Sequence, residues 1–306
     1  MAGVFLGSPS AAVPSLAAFC DVEDVDLVIT QPDRRAGRGG TKVPPPVKVA
    51  AEQFGLSVAQ PHNREELFDV LASVGPSVGL VVAFGRILTP AMLSLVPYGF
   101  LNVHFSLLPR WRGAAPVERA IASGDEMAGV TLMKINEGLD TGPILGEIAT
   151  PIGPNETGGT LTARLAHLGA SLVDSTLPEY LVGRRRPVPQ LASGGTIAGK
   201  LTKEDARLVP DMTVITAERA VRAFSPRPGA WMRIEEGDLR VHRGRIAAPT
   251  VTPGRVELVE GSVLAGFSDG SMEVTTVQPP GKGPMSGPAW MNGRRGEPTS
   301  FGADAD

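Results

Sequence analysis

Apolar and polar positions in the first half of the chain fall into two alternating patterns. Short apolar runs recur at "GVFLG" (3–7), "VDLVIT" (25–30), "VGLVVAFG" (78–85) and "FLNVH" (100–104). Their length suits strands, and apolar residues occupy both parities. Between them, residues 46–54, 64–72 and 90–95 carry apolar positions at helical spacing. Strands apolar on both faces and separated by helices predict a mostly parallel sheet covered on both sides. "GVTLMKI" (129–135) and "PILGEIAT" (143–150) predict two further strands, with a pairing turn at 136–142. Helical spacing over 160–182 predicts a helix that closes the domain.

The pattern then changes. "GRRRPVPQLASGGTIAG" (183–199) is basic and then rich in Pro, Gly and Ser, the composition of a linker. One helical stretch follows at 216–224, and after it come short alternating strands punctuated by glycine. Closely spaced short strands predict a small β-barrel of the oligonucleotide-binding (OB) type. The expected organisation is an α/β domain over 1–183 with a Rossmann-like open sheet. A linker over 184–200 and an OB-like domain over 201–306 follow it.

A chain of 306 residues accommodates two such domains. Its single cysteine, Cys20, excludes an internal disulfide framework and a cysteine-based zinc site. His62, His104, His167 and His242 are too scattered to form a metal cluster by spacing, so no metal is expected. No basic segment precedes an apolar stretch at the N-terminus, and no apolar run is long enough for a membrane span. These features fit a cytoplasmic protein with no membrane partner, and a monomer is the expected state. The net charge of −3 supplies no general attraction to nucleic acid, so an RNA partner would need a local basic patch.

The candidate chemistry sits at the end of the fourth predicted strand. Residues i and i+2 of a strand face the same way, so Asn102 and His104 project side by side. In open α/β sheets that edge is where ligands bind. Taken alone, Asn-x-His more often marks a strand end with a satisfied histidine. What surrounds it shifts the balance. "SLLP" (Ser106, Leu107, Leu108, Pro109) is a turn able to wall a flat pocket, and "GLDTGPIL" (138–145) carries Asp140 between glycines. A carboxylate beside an imidazole orients it, and an amide donates hydrogen bonds to a developing oxyanion. These are parts for acyl transfer. Gly-x-Ser-x-Gly is absent and Cys20 lies elsewhere, so direct attack by a substrate amine fits better than a covalent intermediate. The dinucleotide fingerprint Gly-x-Gly-x-x-Gly is also absent after the first strand.

Asn102, His104, "SLLP" and the distant Asp140 together resemble the signature of the folate-dependent formyltransferases. The string "NVHFSLLPRWRGAAPVERAIASGDEMAGVTLMKINEGLDTG" (102–142) is similar to the branch that acts on methionyl initiator tRNA. "LTKEDARL" (201–208), "RAFSPRPGAW" (222–231) and "GKGPMSGPAWMNGRR" (281–295) resemble its C-terminal domain. The resemblance implies the formyltransferase fold, with 10-formyltetrahydrofolate as formyl donor and the α-amine of methionyl initiator tRNA as acceptor. It further implies that Ser106–Pro109 face the pterin. "VVAFGRIL", with Phe84 and Gly85, ends another strand near the same edge and would flank that ring. Family members often carry Gly where this chain has Phe105, a side chain that either narrows the pocket or turns outward.

"QPDRRAGRGGTKVPPPVK" (31–48) carries Arg34, Arg35, Arg38, Lys42 and Lys48 against a single acid, Asp33. By composition this is either a solvated surface loop or a phosphate-contacting one. It resembles the family's acceptor-stem insertion, with Arg35 where Pro is usual, and Arg38 is its expected main nucleic-acid contact. Two other readings remain at this point. A sugar-nucleotide formyltransferase or a formyltetrahydrofolate hydrolase would share Asn, His and Asp without needing the basic loop. An RNA-binding module with an inert first half would not need the Asn-His-Asp set.

Overall fold

The computed structural model describes residues 2–36 and 40–302. The chain divides into two compact units. The first comprises Met1–Pro116, Met127–Pro151 and Thr162–Ala198; the second comprises Val117–Glu126, Ile152–Leu161 and Gly199–Asp306.

The first unit is built on β1 (Ala2–Gly7), β2 (Asp24–Ile29), β3 (Arg34–Ala36), β4 (Thr41–Val43), β5 (Val58–Ala59) and β6 (Val78–Val82). After them come β7 (Phe100–His104), β8 (Arg112–Gly113), β9 (Met127–Lys134), β10 (Ile144–Pro151) and β11 (Ile197–Ala198). Among the described residues, its main sheet has seven strands in the order β10-β9-β7-β6-β1-β2-β5. Pairing is parallel from β7 through β5, and β9 and β10 are antiparallel additions at one edge. The two strands expected at 129–135 and 143–150 thus pair as a hairpin. The chain starts at β1, runs outward to β2 and β5, and returns on the other side at β6. The crevice between the ends of β1 and β6 is therefore the topological switch point of the sheet.

Helices cover both faces, as strands apolar at both parities require. They are α1 (Val13–Val22), α2 (Pro46–Gln53), α3 (Arg64–Val74), α4 (Pro90–Leu93) and α6 (Gly158–Leu181); α5 (Pro116–Ser123) falls almost wholly in the second unit. Helix α1 begins with a proline in its first turn, and the sequence reading passed over it. Asn63 caps α3 by accepting from the Glu66 amide, and Gly75 ends it in the left-handed conformation. Val4, Leu6, Ile29, Val81 and Phe100 form one buried cluster with Leu67 and Leu71 of α3 and Met92 of α4. On β7, Phe100 shares a parity with Asn102 and His104. The opposite parity, Val103 and Phe105, turns toward α6. A Cβ on Gly169 would lie 2.7 Å from Val103 Cγ1 and 3.8 Å from Phe105 Cε1. Phe105 therefore turns away from the Asn102–His104 face and does not narrow it.

The second unit carries β12 (Trp231–Ile234), β13 (Gly237–Ala247), β14 (Arg255–Val259), β15 (Ser262–Phe267), β16 (Gly270–Gln278), β17 (Met285–Ser286) and β18 (Thr299–Ser300). Helices α7 (Val214–Ala223) and α8 (Gly287–Gly293) accompany them. The antiparallel order is β12-β13-β16-β15-β14-β18, with β17 on β16. A bridge from Ile234 of β12 to Phe301 links the two ends of this order, giving the nearly closed barrel that short alternating strands predicted. Met232, Leu239, Val241, Val263, Met272 and Val274 are buried in this unit.

Gly169 lets α6 approach β7 at Val103, and Val103 Cγ1 is on a stiff branched side chain. Gly169→Val should therefore destabilise the protein by about 1–3 kcal/mol, the usual range for overpacking. Thermal unfolding of the variant should show a midpoint several degrees lower, despite the better helix propensity of valine over glycine.

Candidate active site

Strand β7 ends on the side of the sheet where the parallel strands end. Asn102 pairs across to Met133 and His104 to Thr131 of β9. His104 is buried, and Asn102 is half-buried. Among the described residues the Asn102 side chain makes no hydrogen bond within the protein, so its amide is free for a ligand.

Both ring nitrogens of His104 face protein groups. Nε2 lies 2.8 Å from the Trp111 carbonyl oxygen, and Nδ1 lies 3.7 Å from Asp140 Oδ2. A carbonyl only accepts, so Nε2 carries a hydrogen and donates it. Nδ1 is then the nitrogen open to proton exchange, with the carboxylate beside it. Asp140 Oδ2 also accepts a 2.8 Å hydrogen bond from the Gly113 amide, which fixes the carboxylate. Asp140 itself has φ 49°, left-handed backbone that Asp adopts more readily than most residues. Asn102 and His104 are thus brought together with Asp140, which is distant in sequence, placing a free amide donor beside an imidazole–carboxylate pair.

The "SLLP" turn has largely internal partners. Thr131 Oγ1 donates to the Ser106 carbonyl at 2.7 Å and accepts from the Leu108 amide at 3.2 Å. Ser106 Oγ donates to the Arg110 carbonyl at 2.6 Å. Leu108 is buried, Leu107 lies across Gly129 of β9, and the Leu108–Pro109 peptide is cis. The turn holds the strand end and carries Trp111 to His104. Its Ser106 carbonyl and Leu108 amide are already occupied.

Phe84 and Gly85 lie elsewhere along the same edge. They line a cavity of about 350 Å³ at the switch point, together with Ser8, Pro9, Gln31, Pro45 and Arg34. Gln31 Nε2 donates to the Phe84 carbonyl at 3.0 Å, tying the ends of β2 and β6 together. Ser106–Pro109 are not among its lining residues. A lining dominated by Pro, Val, Ala and Phe with a few polar groups fits the apolar part of a substrate.

Within the basic segment, β3 and β4 pair antiparallel. Arg35 of β3 pairs directly with Lys42 of β4, and Arg34 pairs with Val43. Arg34, Arg35 and Lys42 are exposed; the Lys42 charge also helps lower the Asp33 carboxyl, while among the described residues Arg34 and Arg35 have no acidic partner. Like charges opposite one another repel across a hairpin and are relieved by an anion. Arg38 lies outside the described residues. Lys48 belongs to the root: its Nζ bonds Asp33 at 3.1 Å and Gln60 Oε1 at 2.9 Å. The Gln60 amide, then Lys48, hold the Asp33 carboxyl below the ordinary carboxylate range.

The segment expected to behave as a linker contributes residues the sequence reading missed. Gln190 Oε1 accepts from Arg112 Nε and Nη2, and Gln190 Nε2 donates to the carbonyls of Asp140 and Gly142. Thr196 Oγ1 accepts from the Trp111 amide at 2.8 Å, and β11 pairs with β8. Pro, Gly and Ser composition conceals such contacts, because they are made by single polar side chains without periodicity. Arg112 thereby has a structural partner, and Arg110 stacks 4.5 Å over the Trp111 ring.

Comparison with known proteins adds what geometry alone does not. A sequence profile described as formyl transferase matches residues 12–177, and a second, formyl transferase C-terminal domain, matches 200–295. The methionyl-tRNA formyltransferase of Halorhodospira halophila is 45% identical over 304 residues, 96% of this chain and 98% of that one. Its counterpart in Myxococcus xanthus is 42% identical over 301 residues, 97% and 96% of the two chains. This chain is a member of the methionyl-tRNA formyltransferase family. It is therefore a formyl-transferring enzyme, with the two-part fold of the family. Among solved structures, an N-formyltransferase from Helicobacter canadensis in complex with folinic acid and dTDP-3-aminofucose shares that fold. The TM-score is 0.67 at 17% identity, covering 88% of this chain and 97% of that one. HypX from Aquifex aeolicus in complex with tetrahydrofolic acid matches 94% of this chain at a TM-score of 0.66 and 15% identity. The chain spans about half of the HypX length, 46%.

Gly113 has φ 115°, and a Cβ there would lie 2.6 Å from the Ala198 carbonyl oxygen. Gly113→Ala should break the β8–β11 contact and pull the Gly113 amide from Asp140. We expect turnover to fall at least tenfold with a lower thermal midpoint; unchanged turnover would show that Asp140 keeps its place without that amide.

Proposed function

We propose that this enzyme transfers the formyl group of 10-formyltetrahydrofolate to the α-amine of methionyl initiator tRNA, as a cytoplasmic monomer, without a metal. The carrying observation is the set formed by Asn102, His104 and Asp140 at the end of β7, in a chain matched over both parts by methionyl-tRNA formyltransferases. Residues 1–183 form the catalytic domain, 184–200 the connection and 201–306 the tRNA-binding domain in this reading.

In the reaction, the amine nitrogen attacks the formyl carbon, and the carbonyl π pair moves onto oxygen. Asn102, whose amide has no partner in the protein, donates to that oxyanion. His104 Nδ1 and Asp140 take up the proton that the amine releases. When the oxyanion collapses, the bond from carbon to folate N10 breaks, and N10 receives a proton. Trp111 and Gly113 hold the His104 ring and the Asp140 carboxylate while this proton moves. Charge at His104 adds to oxyanion stabilisation without requiring Nε2 to leave the Trp111 carbonyl.

The turn carrying Phe84 and Gly85 flanks the folate, and Ser106–Pro109, which also hold the catalytic strand end, face its pterin. The cavity that Phe84 and Gly85 share with Arg34 suits the junction where the aminoacyl end meets the donor. Arg34, Arg35, Arg38 and Lys42 neutralise acceptor-stem phosphates. The exposed Arg35–Lys42 couple supports that role, because bound phosphate relieves its repulsion.

The deciding assay is formyl transfer from 10-formyltetrahydrofolate to charged initiator tRNA, with elongator methionyl-tRNA and an amino-sugar nucleotide as competing acceptors. Asn102→Ala and His104→Ala should each lower kcat by about 10²–10³ while leaving folate affinity near normal. Loss of folate binding with turnover preserved would refute their roles. Replacing both Arg35 and Lys42 by Ala should raise KM for tRNA and flatten its salt dependence. The same KM and salt slope as the unaltered enzyme would remove the hairpin from the tRNA contact.

A further inference from the structure

Two loops meet at the His104–Asp140 pair, one bearing Asp140 and one bearing Trp111 and Gly113, and a third segment holds both. Ile144, at the end of the 138–143 loop, exchanges two backbone hydrogen bonds with Val188, at 2.7 and 2.8 Å. The 109–114 turn is held from the same segment: the Arg112 amide donates to the Thr196 carbonyl and the Ala114 amide to the Ala198 carbonyl, both at 2.8 Å. Gln190 lies between these anchors. Its amide nitrogen donates to the carbonyls of Asp140 and Gly142, each at 2.8 Å. Its oxygen accepts from Arg112 Nε at 3.1 Å and Nη2 at 2.6 Å. One side chain thus ties the loop that bears the carboxylate to the turn whose Gly113 amide fixes it and whose Trp111 carbonyl holds His104.

We propose that Gln190 is a positioning residue for formyl transfer, clamping the Asp140 loop to the Arg112 turn so that the carboxylate faces His104 Nδ1. The clamp rests on the acyl-transfer reading of Asn102, His104 and Asp140. A left-handed Asp140 between two glycines has other conformations open to it, and the Gln190 amide grips both the Asp140 and Gly142 carbonyls. Gln190 is itself half-buried, so its replacement removes polar bonds while leaving the apolar core intact.

The full-length enzyme with Gln190→Ala, and separately Gln190→Glu, tests the clamp. Glu keeps the acceptor for Arg112 and loses the donors to Asp140 and Gly142. Both variants should lower kcat about tenfold to a hundredfold, the range that a misplacement of about 1 Å brings. KM for folate and for tRNA should stay within about twofold, a split that general loosening of a binding site would not give. Hydrogen exchange at the Gly113 amide, read by NMR, gives a second measurement that needs no turnover. That amide donates to Asp140, so its protection should drop in both variants while the β-sheet amides keep theirs. Unaltered kcat or unaltered Gly113 protection in Gln190→Glu overturns the clamp. Global loss of folded protein in both variants also overturns it, since Gln190 would then be a folding determinant. If the unaltered enzyme fails to formylate methionyl-tRNA, the substrate reading fails, and Gly113 protection still decides the clamp.

Discussion

The alternation of side chains along one strand governs the rest of this active site. Strand β7 is covered on both faces, so neither parity of its side chains is left to bulk water. One parity, Val103 and Phe105, packs toward α6, whose Gly169 allows the close approach. The other begins with Phe100 in the apolar cluster under α3 and α4 and continues as Asn102 and His104. A polar pair on a buried face needs partners, and the end of the strand is the place where loops can supply them. His104 has such partners within the protein, while the Asn102 amide remains free.

The loops that meet His104 are shaped by backbone. Trp111 and Asp140 both have positive φ, and Gly113 adopts an angle closed to most side chains. These conformations persist because neighbouring groups bond them from several directions: Thr131 within the Ser106–Leu108 turn, Thr196 at Trp111, and Gly113 at Asp140. The Asn102 amide, the His104 ring and the Asp140 carboxylate are thereby held together at the end of β7. Elsewhere in the first unit, the β3–β4 ladder sets Arg35 directly opposite Lys42, two exposed like charges.

Much of this was legible in the sequence, for stated reasons. A strand's two-residue period put Asn102 and His104 on one face, and strands apolar on both faces required a helix-covered parallel sheet. Glycine-punctuated short strands announced the barrel. Other features were not legible. Helix α1 was missed because its alanine-rich, proline-initiated stretch lacks a strong apolar stripe. Phe105 could be assigned to either side until α6 was seen behind β7. The β3–β4 ladder inside the basic loop went unread because three-residue strands carry no periodicity.

The sequence by itself determined the local chemistry: which residues can donate, accept or carry charge, and which face of a strand they share. Those properties depend on covalent structure and on short-range geometry. Tertiary structure alone decided which of these groups meet. Asp140 reaches His104, Thr196 takes the Trp111 amide, and Gln190 joins two loops from a segment that composition described as a linker. Contacts between residues tens of positions apart depend on how the chain closes on itself. A single polar side chain leaves no repeating pattern in sequence by which such closure could be read.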